Sequence, residues 1–188
     1  MEYRQREYPS FSACGLNCGL CPRYHTEGKS RCPGCAGNDF SAKHPSCGVL
    51  SCCQRNQLDY CYQCEEFPCN KYDDADKSDS FITHKNQFSD FSKAKKSGIE
   101  AYKSELNSKI EILQELLAGY DDGRRKSFYC VAVNLLELND IQNIMLQLRK
   151  QSESASTQKE RAAMAVGLFQ ETARENSIDL KLRKRSKS

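Results

Sequence analysis

A chain of 188 residues, 28% charged and 38% hydrophobic, is long enough for one or two compact domains and polar enough for a water-soluble fold. The formal net charge of +3 is too small to call for a nucleic-acid partner, and no apolar run approaches the ~18 residues of a membrane span. The polar start MEYRQREYPS lacks an apolar signal-peptide core, so a cytoplasmic protein without a membrane partner is expected.

The first element in chain order is a cysteine window. Of twelve cysteines, eleven fall between Cys14 and Cys69. Cytosolic thiols stay reduced, so this density points to metal or catalysis rather than to a disulfide framework. Three pairs have the CxxC form: Cys18 with Cys21, Cys32 with Cys35, and Cys61 with Cys64. Such a turn sets two sulfurs on one side of a tight loop, at a spacing that a tetrahedral ion accepts, and four thiolates make a closed structural zinc site. RCPGCAG (31–37) resembles a zinc knuckle: Pro33 and Gly34 shape the turn, and the small residues after Cys35 leave room for backbone N–H groups at its sulfur.

The same segment is poor in ordinary core material. Between residues 10 and 72 the large aliphatic side chains are Leu16, Leu20, Val49, Leu50 and Leu58. A core this thin normally needs staples. Structural zinc supplies roughly 10–16 kcal/mol in zinc-finger peptides, and that binding energy is folding energy. About two zinc ions are expected, each with four cysteines. Two such sites lower the formal charge from +3 to −1.

Nearest-neighbour pairing puts Cys18, Cys21, Cys32 and Cys35 on one ion and Cys47, Cys52, Cys61 and Cys64 on the other. Cys14, Cys53 and Cys69 are left over. A cross-braced arrangement, or a third site with His25 or His44, stays open. An iron–sulfur cluster is the alternative cofactor, because Cys21 precedes Pro22; the spacing departs from the ferredoxin run, and zinc is preferred. A metal- or thiol-dependent enzyme is the competing class, with Cys14, Cys53 or Cys69 as the reactive group. CGLC and CYQC have the redox-active form. The strand–helix pattern of a thioredoxin unit is missing, and no P-loop, G-x-G-x-x-G, G-x-S-x-G or H-E-x-x-H occurs, so no catalytic motif is supported.

After the acidic stretch KYDDADKSDS (71–80) the pattern turns helical. Ile99, Tyr102, Leu106, Ile110, Leu113 and Leu117 form one apolar stripe, with Gly119 as a C-terminal stop. Asp121 or Asp122 is expected to cap the next helix, with Phe128, Val131, Leu135 and Leu138 inward and Cys130 as a small buried core residue. Arg124, Arg125 and Lys126 then fall in a first turn. They are read as solvated and held by Asp–Arg pairs, or as facing the zinc–thiolate half or a bound anion. Asn139 or Asp140 breaks this helix or caps another, and Ile141, Ile144, Met145 and Leu148 form the next stripe. QSESAST (151–157) reads as a loop, and a last helix carries Ala162, Val166, Phe169 and Ala173. The end KLRKRSKS holds five basic groups and no acid, and reads as a solvated, frayed tail.

CGLNCGLCPRY, then CPGCAG, then the Cys47–Cys52 spacing, then CYQCEEFPCNKY resemble the cysteine-rich bacterial and archaeal family known as domain of unknown function 3795, over about residues 10–72. YDDGRRKSFYCVAVNLL (120–136) is similar to members with a helical extension. The resemblance implies a zinc-binding protein without an assigned reaction. The positions it implicates are Cys14, Cys18, Cys21, Cys32, Cys35, Cys47, Cys52, Cys61, Cys64 and Cys69. Cys53 and Cys130 look peculiar to this chain and are not expected as ligands.

The expected architecture is a small irregular zinc-stabilised cysteine-rich domain followed by an all-α helical bundle. Its parts are a metal-binding domain at 1–72, an acidic linker at 73–80, a helical domain at 81–175 and a flexible basic tail at 176–188. The expected role is a binding or scaffold module for a protein partner or a small anion. The near-neutral charge of residues 1–72, negative once metal is bound, argues against nucleic acid.

Overall fold

The computed structural model describes residues 3–151 and 157–184. Most of QSESAST and the last four residues lie outside them. All regular structure among the described residues is helical: α1 (Phe40–Lys43), α2 (Gly48–Arg55), α3 (Gln87–Ser97), α4 (Ile99–Gly119), α5 (Lys126–Leu135), α6 (Leu138–Gln151) and α7 (Gln158–Glu175). Single 3₁₀ turns at Cys18–Leu20, Gly28–Ser30, Cys61–Gln63 and Asn70–Tyr72 punctuate the cysteine-rich segment. No helix among the described residues is long and apolar enough to cross a membrane. The chain forms two compact units, Met1–Lys103 with Leu182–Ser188, and Ser104–Lys181.

In the first unit, aromatic rings supply what aliphatic side chains do not. Phe11 is fully buried, with Tyr60 at 5.2 Å, Phe91 at 5.7 Å and Tyr102 at 4.7 Å between ring centroids. Phe91 also meets Tyr62 at 5.0 Å and Phe67 at 5.3 Å. Each such pair adds about 0.5–1.5 kcal/mol beyond its buried area. Phe91 stands on α3 and Tyr102 on the first turn of α4, so this core draws on chain well past Tyr72. Polar bonds take the same route. The Asn17 amide donates to Asp90 Oδ2 at 2.9 Å, and the Gln87 amide donates to the Cys14 carbonyl at 2.6 Å. Gly98, at φ +90°, breaks the helix between α3 and α4.

Asp79, from the acidic stretch, and Arg183, from the basic end, meet in this unit. The Arg183 Nη2 lies 2.9 Å from Asp79 Oδ1, and the Asp79 side chain has no exposed surface.

The second unit is a helix bundle. On α6 the buried residues are Ile141, Ile144, Met145 and Leu148, the stripe its periodicity predicts, and this helix packs on α7. On α7 the buried face is Ala162, Ala165, Phe169 and Ala173, with Ala165 in place of Val166. On α4 the buried line runs Leu106, Lys109, Leu113, Leu116, so Ile110 and Leu117 are only partly covered. Lys109 is tolerated there because its ammonium donates to the Leu136 carbonyl at 2.7 Å while its stem fills apolar space. α5 is buried on most sides, from Tyr129 through Asn134, and Cys130 is 2% exposed, a core residue as expected.

The turn before α5 corrects one expectation. Its N-cap residue is Arg125, without a side-chain cap. Asp121 instead organises the preceding loop, its Oδ1 accepting from the N–H groups of Gly123 at 3.0 Å and Arg125 at 2.8 Å. Arg125 Nε lies 3.4 Å from Asp122 Oδ2, an Asp–Arg pair of the expected kind, while Arg124 is exposed.

Candidate metal centre

Eleven of the twelve thiols fall on two cavities of the first unit. Cys14, Cys18, Cys21, Cys32, Cys35 and Cys47 line the larger, of about 380 Å³. His44, His84, Arg23 and Lys43 stand among its polar walls, and Leu16, Phe40, Pro45, Phe81 and Ile82 among its apolar ones. Cys52, Cys53, Cys61, Cys64 and Cys69 line the second, of about 350 Å³.

Local backbone structure explains the first grouping. Ser12 turns the chain, accepting the Leu16 N–H on its Oγ at 2.7 Å, and that Oγ lies 3.0 Å from the Cys14 sulfur. The 3₁₀ turn Cys18–Leu20 places Cys18 and Cys21 on one side, with the Cys21 N–H on the Cys18 carbonyl at 3.1 Å. In the Cys32–Cys35 turn, Gly34 has φ +82°, and a Cβ there would lie 2.5 Å from the Pro9 carbonyl oxygen. Only glycine meets both demands. The N–H that reaches the Cys35 sulfur comes from Ala13, at 3.5 Å, rather than from the small residues after Cys35. Cys47 is the N-cap of α2, its sulfur accepting from the Leu50 N–H at 3.5 Å.

The second grouping hangs on α2 and the turns after it. Cys52 and Cys53 lie on α2, five and six residues beyond Cys47. Five residues of α-helix turn the chain by roughly 140° and advance it ~7.5 Å, which carries Cys52 away from the cavity that Cys47 faces. The expected set of Cys47, Cys52, Cys61 and Cys64 is therefore not brought together, because Cys47 joins Cys18 and its neighbours. Cys61 and Cys64 bracket a 3₁₀ turn whose start is fixed by Gln63, its Oε1 accepting from the Tyr60 N–H at 2.9 Å. Cys53, set aside at the sequence level, is 2% exposed and hydrogen-bonded to Cys61. Of the histidines, His25 is engaged with the Gly19 carbonyl at 2.7 Å and does not line either cavity, while His44 and His84 line the first.

Residues 10–74 match a family described as protein of unknown function (DUF3795). No curated protein and no solved structure matches the chain. The DUF3795 segment holds every thiol of both cavities and ends before Ser80, Phe81, Ile82 and His84, which complete the wall of the first.

Electrostatics in the DUF3795 segment reflect the crowding of sulfurs under cover. Burial, then the neighbouring Cys35, pushes the Cys14 thiol up to about 12. Cys18 is raised well above its ordinary value by burial, then by Cys35, Cys14, Cys21 and Cys32. Burial and then Cys61 push Cys53 up to about 12. At neutral pH these thiols are protonated unless a cation offsets both costs. A nucleophilic cysteine needs the opposite shift. No disulfide joins any of the twelve cysteines. The donor set fits a thiophilic ion in chemistry, being sulfur-rich and partly apolar in its surroundings. The sulfurs are gathered but not closed into a cage: among the described residues, no group of three or more His, Cys, Asp or Glu is arranged to hold a metal ion.

Proposed function

We propose that the chain is a cytoplasmic zinc-binding module whose metal is structural, with about two ions, one for each thiol cavity. The observation that carries this reading is the gathering of eleven thiols on two cavities within one small, aliphatic-poor unit. Cys14, Cys18, Cys21, Cys32, Cys35 and Cys47 would supply the ligands of one ion, and Cys52, Cys61, Cys64 and Cys69, with Cys53 beside them, those of the other. Zinc there supplies positive charge against crowded thiolates. The protein's own part is to hold the CxxC turns, and the assembled unit offers a surface for a protein partner or a small anion.

The test is a titration of the reduced, metal-free, full-length protein with Co²⁺. Thiolate-to-cobalt absorption should saturate near two equivalents. Cys18→Ser should remove about half of it and Cys64→Ser the other half. A titration without thiolate-to-cobalt absorption would sink the proposal.

A further inference from the structure

Ser80, Phe81, Ile82 and His84 wall the six-thiol cavity from outside the DUF3795 segment. No helix holds this stretch. It is fixed by Asp79 with Arg183, more than a hundred residues later. The buried Asp79 carboxylate accepts from Arg183 Nη2 at 2.9 Å, from the Arg183 backbone N–H at 2.7 Å and from the His84 N–H at 2.8 Å. The Asp79 N–H returns a bond to the Arg183 carbonyl at 2.9 Å. Arg183 also donates to the carbonyls of Asp76 at 2.7 Å and Ala75 at 3.1 Å, and the His84 ring bonds the same Ala75 carbonyl. One guanidinium thus ties the chain before the wall to the residue that starts it, and Asp79 ties that residue to His84 at its far end. Between them Phe81 is 60% exposed, with the Arg23 guanidinium 5.0 Å from its ring centroid. Both residues line the cavity, which places them at its mouth.

We infer that Arg183 is a positioning residue for the six-thiol cavity: clasped on Asp79, it holds Ser80–His84 as the wall that sets how fast thiophilic ions and thiol-seeking molecules reach or leave those cysteines. The identity of the ion rests on the zinc reading above; the clasp itself does not.

The test uses full-length protein carrying Arg183→Ala, Arg183→Lys or Asp79→Asn. Each is treated, metal-free and zinc-loaded, with N-ethylmaleimide, and labelling is followed cysteine by cysteine by peptide mass spectrometry. Arg183→Ala and Asp79→Asn should speed labelling of Cys14, Cys18, Cys21, Cys32, Cys35 and Cys47 about tenfold or more, and that of Cys52, Cys53, Cys61, Cys64 and Cys69 less than about twofold. Arg183→Lys keeps the charge but loses the fork, and should fall between. Chelator extraction of zinc should accelerate for the ion of the first group alone. Unchanged rates overturn the inference. So does equal acceleration of both groups, which marks a general loss of stability; if Arg183→Ala does not fold, the milder Arg183→Lys decides by the same comparison. Protein that takes up no zinc sinks the metal reading, while the metal-free labelling still decides the clasp.

Discussion

Tyr102, in the first turn of α4, donates its hydroxyl to the Asn17 side-chain oxygen at 2.9 Å, across 85 residues of chain and in a buried setting. Asn17 immediately precedes the first CxxC turn, and its amide reaches on to Asp90 of α3. The cysteine loop is thus held by helices that the composition assigns to the other half. Tyr102→Phe keeps the ring and removes this donor. It should cost roughly 0.5–1.5 kcal/mol, the net worth of one hydrogen bond. Urea unfolding followed by near-ultraviolet circular dichroism measures the loss; a change under a few tenths of a kcal/mol would show that the bond does not matter.

Gly34 makes a second test of the loop. Its φ of +82° and the Pro9 carbonyl 2.5 Å from a built Cβ act in the same direction. Gly34→Ala should destabilise the first unit by roughly 1–3 kcal/mol, and should do so most in the metal-free protein, where no ion holds Cys32 and Cys35 together. A neutral effect on thermal unfolding would count against the turn geometry.

The grouping of thiols separates two pairings. With Cys47 on the first cavity, Cys47→Ser in the zinc-loaded protein should expose Cys18, Cys21, Cys32 and Cys35 to alkylation and leave Cys61 and Cys64 protected. Nearest-neighbour pairing along the chain requires the reverse. Cys130→Ala, deep in the second unit, should leave zinc content unchanged.

How much of this was legible in the sequence depends on what each residue answers to. The α6 stripe of Ile141, Ile144, Met145 and Leu148 is a local helical period, and it is found as read. On α4 the period is right, but the face is turned toward Lys109 and Leu116. The cause is the Leu136 carbonyl, which gives the Lys109 ammonium a buried partner that no pattern within α4 reveals. Cys47 reads as a neighbour of Cys52 because the four residues between them, Gly48, Val49, Leu50 and Ser51, give a weak helical signal. Their helical turn sends the two sulfurs to different cavities. Arg183 reads as one charge of a solvated basic run, and only the fold supplies the buried Asp79 that selects it.

That pair also sets a pH dependence. Burial alone would raise Asp79, but hydrogen bonds from the Arg183 side chain and backbone and from the His84 N–H outweigh it, and the carboxyl sits below its ordinary value. A depressed folded-state pKa contributes stability that is present above the unfolded value, about 3.9, and is lost as pH falls through the folded value. Wild type should therefore exceed Asp79→Asn in stability by roughly 1–3 kcal/mol at pH 7, and the gap should close in strong acid. A gap that stays constant down to about pH 2 would contradict the charge-based account.

Metal analysis of the purified full-length protein, with its visible spectrum, tests the central claim most directly. Protein prepared without added chelator should be colourless and carry about two zinc ions per chain. Iron with acid-labile sulfide and a brown colour, or protein that is folded with all eleven clustered thiols free of metal, would contradict it.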